Sequence, residues 1–189
     1  MKGAFYEGNK KFSVAESQPI TPGHGEVRLK VAYSGICGSD YHIYLGHMDQ
    51  RVNVPQVVGH EMSGEIVEIG KGVKGFKVGD KVVVRPLRPC FECPACREKL
   101  FHFCYNIKVM GVDASGCFQQ SWTVPAYSLH RLPDKIDMKL AALTEPLAHA
   151  TNDVRVSGLT GKDYAVVLGA GPIGTVSYTH LTLPTNREV

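Results

Sequence analysis

Between Glu26 and Ser34 the chain alternates. Val27, Leu29, Val31 and Tyr33 fall on one side of an extended backbone, with Glu26, Arg28 and Lys30 on the other. A period of two is that of a strand with one face buried and one in water. Met1–Tyr6 reads as a shorter first strand, and Met62–Ile69 and Lys81–Val84 as two more. Phe118–Val124 alternates again, with Trp122 on the apolar side. Gly70, Gly72, Gly75 and a Gly79-Asp80 turn punctuate the middle pair. Many short strands joined by glycine turns predict a mainly β domain, a closed or partly closed barrel.

The pattern changes near residue 135. Asp137 is placed to cap a short helix over Met138–Leu143, and Pro146 suits the first turn of a second helix running towards Val156. Glu145 precedes that proline and is expected to be extended. Gly161-Lys162-Asp163 then turns into Tyr164–Leu168, an apolar strand, followed at once by Gly169-Ala170-Gly171-Pro172-Ile173-Gly174. A second, α/β domain is predicted from about residue 150. A glycine fingerprint between a strand and a helix lets the backbone approach a pyrophosphate at the helix N-terminus. That makes Gly169, Gly171, Pro172, Ile173 and Gly174 the candidate dinucleotide-binding residues.

Composition narrows the classes. Of 189 residues, 43% are hydrophobic and 21% charged, an ordinary globular balance. The net charge of +3 is small and scattered, with no basic cluster interleaved with aromatics, so no nucleic-acid partner is expected. No apolar run approaches the about 20 residues of a membrane helix, so no membrane partner is expected either. The N-terminus has no apolar core of a signal peptide. The expected compartment is therefore the cytoplasm, where the six cysteines are reduced thiols or metal ligands.

Two cysteine settings carry chemistry. Cys90-x2-Cys93-x2-Cys96-x7-Cys104 places four thiols at the spacing of a closed tetrahedral zinc site. Such a site has no open position and holds a lobe, here about 85–106, together. His102 lies within this loop as a competing ligand. A zinc-ribbon binding module would surround the knuckles with basic or aromatic residues, whereas this loop is mixed in charge. The second setting is Cys37 with Ser39, Asp40 and His42, just after the third strand, followed by Gly59-His60-Glu61. Cys37, His60 and a carboxylate are read as the ligands of a further zinc that keeps a position for water or alcohol. Cys117 is read as buried packing. His24, His47, His130 and His149 have no motif around them and are read as structural.

The set of motifs resembles the zinc-containing medium-chain alcohol and polyol dehydrogenases. The matching pieces are Gly35-Ile36-Cys37-Gly38-Ser39-Asp40-x-His42, Gly59-His60-Glu61-x-x-Gly64, Gly79-Asp80-Lys81-Val82, the four cysteines, Thr144-Glu145-Pro146-Leu147-Ala148 and the fingerprint at 169–174. The resemblance implies a chaperonin-10-like (GroES-like) barrel over residues 1–150, followed by the first βα element of a Rossmann domain. It implies two zinc ions per chain, one structural and one catalytic, and NAD or NADP as cofactor. Cys37 and His60 would bind the catalytic zinc, with Glu61 and Glu145 as further carboxylates, directly or through water. Asp40 would orient His60, and Ser39 and His42 would relay the substrate proton to solvent. The implied substrate is a small secondary alcohol or polyol, as in the sorbitol and butanediol dehydrogenases, and the implied parent is a homo-oligomer. A threonine dehydrogenase is the rival within the class, and a non-catalytic zinc-stapled β domain the rival outside it.

The end of the chain departs from that pattern. After Gly174 the family has a long apolar helix and then a strand ending in an acidic residue, within a domain needing on the order of 150 more residues. Here Thr175–Val189 is threonine-rich and carries Pro184. The expectation is a Rossmann start over 151–176, a foreign tail over 177–189, and a fragment without turnover of its own.

Overall fold

The structure is a computed structural model that describes residues 1–160 and 162–182. It divides into two compact units, Met1–Ala142 and Leu143–Val189.

The first unit is built from antiparallel strands. In chain order they are β1 (Lys2–Tyr6), β2 (Phe12–Glu16), β3 (Glu26–Ser34), β4 (Gln56–Val57), β5 (Met62–Ile69), β6 (Lys81–Val84), β7 (Leu87–Arg88), β8 (Lys108–Val109), β9 (Ser121–Pro125) and β10 (Leu129–Arg131). Short helices α1 (Gly38–Tyr44), α2 (Pro94–Arg97) and α3 (Met138–Ala141) are inserted among them. Five strands form the main sheet in the order β10-β6-β5-β3-β9. A smaller sheet runs β2-β1-β4, and β7 pairs with β8. The two larger sheets are stitched together where Gly3 bridges Gln119 and the Ala4 N–H donates to the Phe118 carbonyl at 2.8 Å. This is the partly closed, mainly β architecture that the alternation predicts.

The strands from Glu26, Met62 and Lys81 begin and end where the pattern places them. Val27, Leu29, Ile66, Val82, Trp122 and Val124 form the main core. Tyr33 does not join them and is half exposed. A register shift between Val31 and Tyr33 is the cause, because a bulge turns the following side chains away from the alternation. The last alternating stretch pairs as Ser121–Pro125 rather than from Phe118, since residues 116–118 bond to the backbone of residues 57–59 instead. A second core of Tyr6, Ile43, Val52, Val58 and Val112 packs under α1. It is tied by Gln56 Nε2 donating to the Val112 carbonyl at 2.9 Å and by a two-point Arg51–Asp113 pair at 3.0 and 2.8 Å.

The turn into β6 is held by one carboxylate. Asp80 Oδ2 accepts from the Lys77 N–H at 2.9 Å and from Arg131 Nη2 at 2.7 Å, joining the turn to β10. α3 starts as expected, with the Asp137 carboxylate accepting from the Lys139 N–H at 2.8 Å, and ends at Ala141.

The second unit contains α4 (Thr144–Ser157) and α5 (Pro172–Thr182), which pack on each other. Two expectations are corrected here. Glu145 is helical, in the first turn of α4, not extended. The pre-proline restriction is steric and partial. Pro146 itself sits within the first turn, where its missing N–H has no intrahelical acceptor to lose. Tyr164–Leu168 is not a strand; Tyr164, Val166 and Leu168 are 103%, 84% and 92% exposed. A strand forms only against a partner, and no strand of the described residues pairs with this one. The fingerprint does lead into a helix at Pro172. That helix continues through Ser177 to Thr182; the remainder of the expected foreign tail, 183–189, lies outside the described residues.

Candidate metal centres

The four-cysteine lobe hangs from β7 and β8. Cys93 is the N-cap of α2, whose first residue is Pro94; Cys96 lies within α2 and Cys104 just after a single turn at Phe101–Phe103. The four sulfurs lie within 4.8 Å of one another. Cys93, Cys96 and Cys104 are buried and Cys90 is half-buried. The backbone N–H of Cys93 donates to Cys90 Sγ at 3.4 Å, and that of Cys90 to Cys104 Sγ at 3.2 Å. Backbone donors from Glu92 and Cys93 bring the Cys90 thiol down to about 6, while burial and neighbouring thiols push Cys96 up to about 12. The four thiols together form a group that could hold a divalent cation. Four sulfurs leave no vacant corner. His102 is exposed, with its ring tilted against Phe103 at a centroid distance of 4.2 Å, outside this group.

The second centre forms where the end of β3 meets the segment leading into β5. Cys37 is the N-cap of α1, and the Asp40 carboxylate reaches back to accept from the Cys37 N–H at 2.9 Å. This reciprocal N-terminal bond fixes the Cys37 loop. Cys37 Sγ and one donor atom each of His60 and Glu61 lie within 4.8 Å of one another. His60 and Glu61 are buried, at 6% exposure each. The His60 imidazole, foremost, lowers the Cys37 thiol pKa against the opposing effect of burial, and the Ser39 hydroxyl and N–H add to it.

Two glycines make the geometry possible. A Cβ at Gly35 would collide with the Glu61 carboxylate. Gly59 has φ +90°, and a side chain there would meet the Phe118 ring. Cys117 behind them is fully buried, and burial pushes its thiol up to about 12.

Of the residues expected here, the structure brings Cys37, His60 and Glu61 together and sets Ser39 and Asp40 on the same turn. His42 lies on α1 with its Nδ1 3.1 Å from His47 Nδ1, an association that no motif signals. Glu145 belongs to the second unit, where its carboxylate is 3.2 Å from His149 Nε2. In the fingerprint, Gly169 has φ +112°, and a Cβ at Gly174 would strike the Gly169 carbonyl. Both positions therefore require glycine for this turn into α5.

Comparison with known proteins bears on the family and the fold. The family model for the alcohol dehydrogenase GroES-like domain matches residues 23–134. A 2-dehydro-3-deoxy-L-galactonate 5-dehydrogenase of Pseudoalteromonas atlantica is 58% identical over 174 residues, 92% of this chain and 51% of that protein. An L-threonine 3-dehydrogenase of Pyrococcus horikoshii is 43% identical over 155 residues, 81% of this chain and 44% of its own. The crystal structure of the rspB alcohol dehydrogenase of Escherichia coli CFT073, complexed with NADH, superposes with a TM-score of 0.90 at 37% identity, covering 98% of this chain and 54% of that one. The chain belongs to the alcohol and polyol dehydrogenase family that carries the GroES-like domain. It spans about half the length of the relatives it matches. No helix of the described residues is long and apolar enough to cross a membrane.

Proposed function

We propose that this chain carries the catalytic metal centre of a zinc-dependent dehydrogenase that moves a hydride from a small secondary alcohol or polyol to NAD or NADP. The observation that carries the reading is the convergence of Cys37, His60 and Glu61 within 4.8 Å, separate from a complete four-thiol site. The donor chemistry fits a zinc ion: one thiolate, one imidazole and one carboxylate supply three ligands and leave one position for substrate. When bound, such an ion would supply acidity to an alcohol hydroxyl, and the nicotinamide would supply the hydride acceptor.

The chain's own residues do the rest. Asp40 fixes the Cys37 loop by its bond to the Cys37 N–H, and the reading also has it orient His60. Ser39 and His42 are assigned to carry the substrate proton outwards; His42 is exposed and reaches His47, which supports an exit to solvent. Glu145 is assigned as a further carboxylate for the same ion, directly or through water. Gly169, Gly171, Pro172, Ile173 and Gly174 are assigned to the dinucleotide pyrophosphate at the start of α5, supported by the tight turn there. The four-cysteine site is assigned to a second, structural zinc.

The reading further has residues 1–150 as the catalytic domain and 151–176 as the start of a nucleotide-binding one. The parent would be a cytoplasmic homo-oligomer. Because the 58%-identical relative is named for a deoxy sugar acid, polyhydroxy acids belong beside sorbitol, butanediol and L-threonine in the substrate panel.

Metal content tests the reading on this chain directly. The purified chain is expected to hold about two zinc per molecule, falling to about one in Cys37→Ser with its secondary structure intact, and to about one in Cys93→Ser with the lobe loosened. A zinc count unchanged by Cys37→Ser would leave only a zinc-stapled β domain.

A further inference from the structure

The two ligands His60 and Glu61 are adjacent in sequence, so their directions depend on the backbone around them. One residue grips that backbone on both sides. The Cys117 N–H donates to the Gly59 carbonyl at 2.9 Å, and its Sγ donates to the Glu61 carbonyl at 3.6 Å. These carbonyls bracket the His60–Glu61 pair. Cys117 is in turn held by Ser34, whose hydroxyl donates to the Cys117 carbonyl at 3.4 Å, while the Gly35 N–H shares the Glu61 carbonyl at 2.9 Å. Its chain neighbours continue the grip: the Gly116 N–H donates to Val57 at 2.8 Å and the Phe118 N–H to Val58 at 3.0 Å. The backbone bonds of this strap are available to any residue, but the bond to Glu61 needs a side-chain donor. Cys117 is fully buried, so water does not compete for that carbonyl.

We propose that Cys117 is a positioning residue for the Cys37–His60–Glu61 centre, its thiol acting with the Gly35 N–H to fix the Glu61 carbonyl and so the aim of both adjacent ligands. The inference rests on the reading that this centre holds a metal. It assigns the thiol a donor's role, beyond the filling of space expected for a small buried cysteine.

The test compares cobalt and zinc affinity at the two sites of the same chain by chelator competition, following the distinct cobalt absorption of the four-thiolate and mixed-donor sites. Cys117→Ala is expected to weaken the mixed site about tenfold, within the range for partners that orient metal ligands, and to leave the lobe unchanged. Cys117→Ser, which keeps a donor, is expected to recover most of that loss. Should Cys117→Ala unfold, seen as loss of the lobe's absorption too, Cys117→Ser is compared with Cys117→Val, which fills the volume without a donor. Wild-type affinity in the donorless variants, or a serine variant no better than them, would overturn the positioning role. A wild-type chain that takes metal only at the lobe would instead remove the centre on which the proposal stands.

Discussion

At the scale of single residues, the mixed-donor centre depends on two absent side chains as much as on those present. Gly35 leaves the room that the Glu61 carboxylate occupies, and Gly59 adopts φ +90° beneath the Phe118 ring. Gly59→Ala is therefore expected to destabilise the first unit by about 2 kcal/mol, combining a left-handed backbone with a collision. Urea unfolding would show it as a lower midpoint, and an unchanged midpoint would mean that neither the left-handed backbone nor the Phe118 contact requires glycine at this position. Cys37 and the His60–Glu61 pair stood out in the sequence because they lie in two dense polar clusters upstream of a four-cysteine lobe, while the choice between Glu61 and Glu145 as carboxylate stayed open. His47 was not legible, since its only distinction is proximity to His42 across the end of α1. The thiol-to-carbonyl bond of Cys117 was equally hidden, because it joins residues 56 positions apart.

At the scale of elements, the strands followed their alternation wherever one face packs on the core, as β3, β5 and β6 do. The alternation failed at its ends, where a bulge turns Tyr33 outward and residues 116–118 pair with another segment. Between β5 and β6 the turn is held by the Asp80 carboxylate, which accepts from the Lys77 N–H and pairs with Arg131. The Lys77 N–H, foremost, and the Arg131 guanidinium hold the Asp80 carboxyl below its ordinary value, against the opposing pull of burial. A folded-state pKa depressed in this way gives stability that is present above the unfolded value of about 4 and is lost as pH falls through the folded one. Asp80→Asn is thus expected to melt below the wild type at pH 6, with the gap closing as pH falls below about 4. Thermal melts across that range would check it, and a gap independent of pH would assign the loss to the turn's geometry rather than to charge.

At the scale of the whole molecule, the two units differ in how fully they bury what they carry. The first encloses two larger hydrophobic cores and two smaller clusters. The second presents Tyr164, Val166 and Leu168 almost entirely to solvent. Apolar side chains of that density on an unpaired segment favour association with another copy or another surface. Light scattering of the chain is expected to rise with concentration, and Val166→Lys with Leu168→Lys is expected to suppress the rise. Equal scattering by the variant would place the sticky surface elsewhere.

The sequence by itself determined the class of the first unit and singled out the four-cysteine lobe, Cys37 and the His60–Glu61 pair as candidate metal donors. Each of these is written in local periodicity or in chemically distinctive residues at fixed spacing. Tertiary structure alone decided that residues 37, 60 and 61 share one small volume, that glycines 35 and 59 make room for them, and that residue 117 clasps the backbone between them. It also decided that 164–168, though strand-like in composition, stays unpaired among the described residues. Local pattern states what a segment can do. Whether a strand, a ligand or a hydrogen-bond donor meets its counterpart depends on contacts between residues far apart in the chain, and only the fold supplies those.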